Sequence, residues 1–128
     1  MVVLLLAGCS AGVENVLKSS DTEMVISGSG ATKLRRGFAA GNYAVCISGS
    51  QSSGGIHTKS VKPLSLKVET DAELVAIDGQ VETDWASPNH PISVPPGEPL
   101  AAFDISADHA IKWILRMEPA ESALGCGY

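Results

Sequence analysis

Three cysteines and three histidines are the residues of this sequence whose side chains best suit a zinc or copper site or covalent chemistry. They are Cys9, Cys46, Cys126, His57, His90 and His109. No histidine lies within four residues of another histidine or of a cysteine, whereas zinc and copper ligands commonly come in closely spaced pairs. A match to the Gly-x-Ser-x-Gly nucleophile motif at residues 8–12 lacks the buried strand and the helix that position such a serine. The sequence therefore predicts no metal site, no catalytic residue and no enzymatic activity.

Acidic side chains are concentrated in the second half of the sequence. Residues 69–111 include nine acidic residues and no basic one, whereas residues 24–68 include six basic residues and no acidic one. Asp78-Gly79 lies between two alternating apolar segments, which is typical of a two-residue hairpin turn. One face of that hairpin would carry a candidate acidic surface made of Glu69, Asp71, Glu73, Glu82 and Asp84. These carboxylates could be solvated, paired with bases of a neighbouring strand, ligands of a hard cation, or the docking site of a basic partner.

The N-terminal segment carries a processing pattern. Residues 1–8 are apolar and end in the small pair Ala7-Gly8, as at the end of a secretory signal peptide. Leu6-Ala7-Gly8-Cys9 resembles the lipobox of bacterial lipoproteins. The resemblance implies cleavage before Cys9 and a diacylglycerol on its sulfur, whose acyl chains would anchor the protein to a membrane. No lysine or arginine precedes Lys18, which predicts a truncated signal peptide whose true start lies upstream.

Three segments follow from this interpretation. Residues 1–8 are expected to be the truncated signal peptide, residues 9–23 the lipidated cysteine and a flexible tether, and residues 24–128 a single folded domain. With Cys9 carrying lipid, Cys46 and Cys126 remain. An even number of cysteines in an exported protein favours a disulfide between them over two free thiols.

The folded segment has the period-two alternation of β-strands. Alternating apolar positions are clearest in its first and last strand-like segments: Leu34, Phe38, Tyr43, Val45, Ile47, Ile111, Trp113, Leu115 and Met117. Because Gly, Ser and Pro loops separate such segments, we expect an all-β fold, a small antiparallel β-sandwich, with a partly open β-barrel as the alternative.

One segment resembles a turn and strand of small secreted bacterial β-sandwich domains: Phe38-Ala39-Ala40-Gly41-Asn42-Tyr43-Ala44-Val45. Four aromatic residues fall on apolar parities and are expected in the core: Tyr43, Trp85, Phe103 and Trp113.

Composition narrows the function classes. Hydrophobic residues make up 45% of the 128 residues and charged residues 18%, with a net charge of −5. A single globular domain of this kind lacks the basic surface of a nucleic-acid binder. We expect a lipoprotein of the cell envelope, on the outer side of the cytoplasmic membrane or in the outer membrane, with no cofactor beyond its lipid. It would act as a non-enzymatic binding or accessory module, held to the membrane and contacting an envelope protein. The alternatives are a small ligand- or carbohydrate-binding domain, or an enzyme with an unrecognised site.

Overall fold

The computed structural model describes residues 4–6, 12–51, 61–97 and 99–126. About two thirds of these residues are in β-strands. The strands are β1 (Leu4–Leu6), β2 (Val13–Ser19), β3 (Met24–Ser29), β4 (Thr32–Gly37), β5 (Gly41–Ser50), β6 (Lys62–Glu69), β7 (Leu74–Val81), β8 (Asp84–Ala86), β9 (His90–Val94), β10 (Leu100–Ala107) and β11 (Lys112–Pro119). One 3₁₀ turn, Ala120–Ser122, follows β11. No helix in the described ranges has the length and apolar character needed to cross a membrane.

The strands form two antiparallel sheets. The five-stranded sheet has the order β1-β4-β10-β6-β7, and the six-stranded sheet has the order β2-β3-β11-β5-β8, with β9 pairing to β5 beside β8. Each sheet ends in edge strands and neither closes on itself. The predicted antiparallel β-sandwich is therefore confirmed, and the partly open barrel is not the architecture.

The core lies between the two sheets and is built from the inward-facing residue of each alternating pair. On β4, for example, Leu34 is buried while Lys33 and Arg35 on either side are exposed. Three of the four aromatic side chains expected in the core, Tyr43, Phe103 and Trp113, are almost fully buried. The fourth, Trp85, is partly buried and packs against the core cluster. The indole Nε1 of Trp113 donates a hydrogen bond to the carbonyl of Gly30 at 2.9 Å, so its polar atom is satisfied.

The predicted hairpin turn at Asp78-Gly79 is wrong. β7 runs straight through both residues, with Asp78 opposite Ser65 and Gly79 opposite Leu64 on β6. Gly79 serves a different purpose, because the ring of Trp85 lies against it. A Cβ added at Gly79 would come within 2.3 Å of Cζ2 of that ring. The glycine is explained by this close approach and not by a turn.

The prediction that residues 9–23 form a flexible tether is also wrong for part of this range. Its residues from Val13 to Ser19 form β2, which pairs with β3 along the edge of the six-stranded sheet. The register shifts twice, between Val13 and Asn15 and between Val16 and Lys18. Such bulges break the alternation that sequence reasoning looks for, which explains why no strand pattern was visible here. Ordered structure therefore begins before residue 24.

The other N-terminal predictions have different outcomes. Residues 4–6 of the predicted signal segment form β1, which pairs with β4 so that Leu4 lies opposite Arg36 and Leu6 opposite Leu34. Cys9 falls outside the described residues. Cleavage before Cys9 and its lipidation stay predictions.

The predicted disulfide is confirmed. Cys46 on β5 is bonded to Cys126, 80 residues further along the chain, with their Cα atoms 5.9 Å apart. Cys46 lies between Val45 and Ile47, which face the core, so its own side chain points outward. The bond therefore fixes the C-terminal segment onto the outer face of the six-stranded sheet. Glu118 accepts a hydrogen bond from the backbone N–H of Leu124 at 3.2 Å in the same segment.

Candidate functional site

The outer face of the five-stranded sheet brings together charged residues that are far apart in the sequence. β10 lies between β4 and β6 in this sheet. Asp104 on β10 is opposite Lys33 on one side and Lys67 on the other. Two residues earlier, Ala102 is opposite Arg35 on β4 and Glu69 on β6. The basic and acidic halves of the sequence therefore meet on one surface, in alternating positions.

A groove lies over this part of the sheet, because Ala102 is short and its neighbours are long. The central cavity has a volume of about 410 Å³. Its walls include charged side chains from three strands and the side chain of Leu74, which is 60% exposed. They are Lys33, Arg35, Lys67, Glu69, Leu74 and Asp104. We call this cavity, with Ala102 at its floor, the central groove.

Two further cavities lie on the same face. One, of about 280 Å³, shares Arg35, Glu69 and Ala102 with the central groove and reaches Asp71 and Leu100. The other, of about 570 Å³, lies toward the opposite ends of β6 and β10. Its lining includes Val61, Lys62, Ser65, Ser106 and Asp108. The three cavities therefore follow the paired strands β6 and β10 along their length.

The charged side chains of the central groove are not committed to one another. In the described part of the chain, Lys33, Arg35, Lys67, Glu69 and Asp104 make no side-chain hydrogen bond and no ion pair. Polar groups without a protein partner are hydrated in the free protein and can exchange water for a ligand's hydrogen-bonding groups. The central groove therefore offers both donors and acceptors to a bound molecule.

In the cavity at the opposite ends of β6 and β10, the carboxylate of Asp108 does have protein partners. The backbone N–H of Ala110 donates to the Asp108 carboxylate at 2.8 Å, and Lys62 Nζ lies 3.6 Å from its other oxygen. The hydrogen bond from Ala110, with smaller contributions from Lys62 and His109, lowers the pKa of Asp108. This carboxylate stays ionised and holds Lys62 at the end of the cavity.

The candidate acidic surface is divided by the structure into two groups at opposite ends of β7. Glu69, Asp71 and Glu73 lie at or near the β6–β7 connection. Glu82 and Asp84 lie at or near the β7–β8 connection, and Asp84 is opposite Ser50 on β5, in the other sheet. Since β7 is not a hairpin, Glu73 and Asp84 lie near its opposite ends and do not face each other as a cross-strand pair. The Glu73 carboxylate instead accepts a hydrogen bond from the backbone N–H of Ser93 at 2.9 Å.

The two histidines that the structure describes lie in different elements. His90 is in β9 and His109 is in the exposed turn before β11, while His57 falls outside the described residues. Among the residues that the structure describes, no group of three His, Cys, Asp or Glu side chains could hold a metal ion.

Arg36 is a buried charge that the sequence analysis did not single out as special. Its side chain is fully buried, and its Nη2 donates to Ser19 Oγ at 3.1 Å and to the backbone oxygens of Ser20 and Glu23. The guanidinium carbon lies 4.5 Å from the ring centroid of Phe38. Burial lowers the pKa of Arg36. The sequence did contain a signal for this burial, because Arg36 has the same parity as the apolar residues of its strand. In the structure, Arg36 holds the β2–β3 turn in place.

Comparison with known proteins gives only distant similarity. No protein-family model matches the chain, and no curated protein matches it. Among solved structures, it is similar to a carbohydrate-binding module of Cellvibrio mixtus lichenase 5A in complex with cellotriose. The two sequences are 15% identical and the TM-score is 0.43, and the alignment covers 94% of this chain and 99% of that one. TmCBM61 in complex with β-1,4-galactotriose has 17% identity and a TM-score of 0.38, with coverage of 91% of this chain and 79% of that one. CBM35 from Cellvibrio japonicus Abf62 has 11% identity and a TM-score of 0.35, with coverage of 99% and 100%.

At these scores the similarity is no argument about ligand or activity, which depend on the residues of this chain. Sequence reasoning missed the central groove for a physical reason. Lys33 and Asp104 are neighbours only because β10 pairs with β4, and no sequence pattern specifies which distant strands pair. The one signal was the separation of basic and acidic residues along the chain, which becomes alternation on the sheet.

Proposed function

We propose that this chain is a non-enzymatic binding module and that the central groove over Ala102 is its binding surface. The observation that carries the proposal is the set of uncommitted charged side chains around one short residue in the middle of a rigid sheet. Binding sites commonly combine a preformed concave surface with a few convergent polar groups. A sheet face that already fixes the backbone of these residues loses little further backbone entropy on binding.

The ligand class that fits these walls is a carbohydrate. Lysine, arginine and carboxylate side chains donate to and accept from hydroxyl groups, and sugars present hydroxyl groups at their rims. The exposed side chain of Leu74 gives an apolar contact for the C–H face of a sugar ring. Aromatic stacking does not contribute in the described part of the chain, because Tyr43, Phe103 and Trp113 are buried and Trp85 packs against the core. We therefore expect weak binding.

A binding role is favoured over glycosidic hydrolysis by the openness of the groove. Hydrolysis uses two carboxyl groups, one of which is kept protonated by a poorly solvated pocket. Glu69 lies on the exposed face of β6, where solvent reaches it. Incubating the protein with each bound oligosaccharide and following the products by chromatography tests this point. The appearance of shorter sugars at a rate lost in Glu69→Gln or Asp104→Asn would overturn the non-enzymatic assignment.

We also propose that Cys9 is lipidated and that the module is held at the cell envelope. The support is the Leu6-Ala7-Gly8-Cys9 pattern, together with the Cys46–Cys126 disulfide, which suits an oxidising compartment. Envelope anchoring would place the groove beside envelope polymers and an envelope protein partner. Lipid labelling and globomycin-sensitive processing should occur in the wild type and vanish in Cys9→Ala. Absence of label in the wild type would refute the anchor.

Binding is best tested by filling the groove. Isothermal titration calorimetry with a panel of oligosaccharides of glucose, galactose and xylose would identify a ligand. Ala102→Trp should then weaken its binding by at least about tenfold, or ~1.4 kcal/mol, because the indole takes the space above the sheet. Ser27→Trp is the matched control, since Ser27 is a half-buried small residue on an inner strand of the opposite sheet.

The outcomes are distinct. Loss of binding in Ala102→Trp with retention in Ser27→Trp, both folded by circular dichroism, would support the assignment. Equal binding by the wild type and Ala102→Trp would move the site elsewhere. Absence of binding to every member of the panel would refute the carbohydrate assignment.

A further inference from the structure

The three cavities on the outer face of the five-stranded sheet have a common composition. Each contains one exposed, large aliphatic side chain: Leu100 (42% exposed), Leu74 (60%) and Val61 (51%). Each also contains at least one basic and one acidic side chain, such as Arg35 with Asp71 in the first and Lys62 with Asp108 in the last. Of the seven large hydrophobic residues that are exposed in the described part of the chain, these three line cavities on this one face. Repeated subsites of one composition fit a ligand made of repeated units.

The row is long. The cavities are lined by residues from Leu100 to Asp108 on and just after β10. At the rise of a β-strand, this stretch spans about 25 Å. β10 and β6 are paired through most of it, from Ala102 opposite Glu69 to Ala107 opposite Leu64. A ligand that fills the row is therefore extended and runs parallel to the two strands.

The row carries no net formal charge, although the chain has a net charge of −5. Its charged lining consists of equal numbers of basic and acidic residues: Lys33, Arg35, Lys62 and Lys67 against Glu69, Asp71, Asp104 and Asp108. Opposite signs meet across the strands: the groove residues of β4 are the bases Lys33 and Arg35, and Asp104 on β10 lies between Lys33 and Lys67. A uniformly charged polymer along β6 and β10 would therefore lie beside groups of its own sign as well as of the opposite sign, whereas an uncharged polymer finds donors and acceptors along the row.

We propose that the three cavities are one extended site for a linear, uncharged, hydroxyl-rich polymer lying along β6 and β10, with the central groove as its middle subsite. This inference rests on the proposed carbohydrate-binding function and specifies its ligand. Occupation of all three subsites lets each repeating unit contribute contacts without a second loss of translational freedom. The affinity therefore rises with the length of the ligand until the row is filled.

The test uses two series of oligosaccharides on the full chain, with calorimetry as the readout. One series is uncharged and increases in length, and the other has the same lengths with uronic acid units. The affinity of the uncharged series should rise by tenfold or more, or ~1.4 kcal/mol, from the shortest to the longest member. The uronate series should bind more weakly at every length.

Variants at the two ends separate an extended site from a single one. Val61→Ala and Leu100→Ala should each weaken the longest ligand about fivefold by removing an apolar contact, and should leave the shortest ligand unchanged. Ile114→Ala is the matched control, because Ile114 is also an exposed aliphatic residue but lies on the opposite sheet. All three positions are exposed enough that folding should be retained.

Failure of this inference differs from failure of the proposed function. Affinity that is independent of length, with binding still abolished by Ala102→Trp, would leave the binding module in place and overturn the extended site. Tighter binding of the uronate series would overturn the uncharged ligand. Absence of binding in both series would overturn the carbohydrate assignment and the extended site together.

Discussion

The outer face of the six-stranded sheet and the central groove of the five-stranded sheet use their charged residues in opposite ways. On the six-stranded sheet, Glu14 pairs with Lys112 at 3.2 Å and accepts a hydrogen bond from Ser29, and Arg116 pairs with Glu118 at 3.5 Å. On the five-stranded sheet, the charged walls of the central groove make no such contacts in the described residues. On the six-stranded sheet, charged side chains pair with one another. In the central groove, the charged side chains remain able to bind a ligand.

The disulfide contributes to the same difference. Cys46 points outward from the six-stranded sheet, and its bond to Cys126 keeps the C-terminal segment against β5. That segment helps to bury Glu118, which is only 3% exposed although it faces away from the core. One face is therefore covered and stabilised, and the other is available. This asymmetry suits a module that is held together on one side and binds on the other.

The largest effect is expected from breaking the covered face. Replacing Cys46 and Cys126 with serine should lower the free energy of unfolding by about 2–5 kcal/mol, because the bond closes a long loop and its loss frees the unfolded chain. Chemical denaturation under oxidising conditions would measure this loss. At a temperature where the variant is folded, carbohydrate binding at the central groove should be unchanged. Equal stability of the variant and the wild type would contradict the stabilising role.

The contact between Trp85 on β8 and Gly79 on β7 joins the two sheets on the core side. Gly79→Ala should lower the free energy of unfolding by about 1–3 kcal/mol, since the added methyl group overlaps the indole ring and forces repacking. In the background of Trp85→Ala the same change should cost much less, because the ring is gone. A double-mutant cycle by chemical denaturation measures this coupling. Costs that simply add would contradict the packing explanation for the glycine.

Gly79 also illustrates what the sequence could and could not predict. The alternation of Leu34, Phe103 and Trp113 with polar residues specified which side chains face the core, because burial acts on each strand separately. Asp78-Gly79 has the composition of a turn, but tertiary packing against Trp85 decided its conformation. Local composition cannot reveal which distant ring will lie over a glycine.

The central groove was beyond prediction for a related reason. Its walls come from β4, β6 and β10, and their pairing joins residues more than half the chain apart, such as Lys33 and Asp104. The sequence showed that basic residues are concentrated in residues 24–68 and acidic residues in residues 69–111, which suggested a charged surface. The expected surface was an acidic hairpin face, however, and the structure instead separates those acids and brings Asp104 between two lysines. Charge segregation was a correct signal with an incorrect placement.

A direct test of the comparison replaces one carboxylate on each face. Glu118→Gln should lower the free energy of unfolding by about 1–3 kcal/mol, because a buried group that pairs with Arg116 and the Leu124 N–H is altered. Asp104→Asn should change it by less than about 0.5 kcal/mol, because Asp104 has no ion-pair or hydrogen-bond partner among the described residues to lose. Thermal and chemical denaturation of the pair would check both values. A larger loss in Asp104→Asn than in Glu118→Gln would reverse the assignment of the two faces.

The smallest expected effect is a pH dependence that distinguishes carboxylates with protein partners from Asp104 of the central groove. A hydrogen bond from Ser29, followed by Lys112, lowers the pKa of Glu14, and the N–H of Ala110 lowers that of Asp108. For a carboxyl group whose pKa is lower in the folded state, the stabilisation is complete above the unfolded pKa and is lost as pH falls through the folded value. Glu14 is exposed and Asp108 is only partly buried, so each contributes little and salt should screen it.

Glu14→Gln and Asp108→Asn should therefore flatten the acid limb of the stability profile by small amounts and change little near neutral pH, as measured by denaturant midpoints across acidic pH. Asp104→Asn is the control from the central groove. Because nothing holds Asp104 in an ion pair or hydrogen bond among the described residues, we expect its replacement to leave the acid limb as it is in the wild type. A change in that limb as large as those of Glu14→Gln and Asp108→Asn would show that Asp104 is committed to a protein partner, and the central groove would lose the free carboxylate on which its binding role depends.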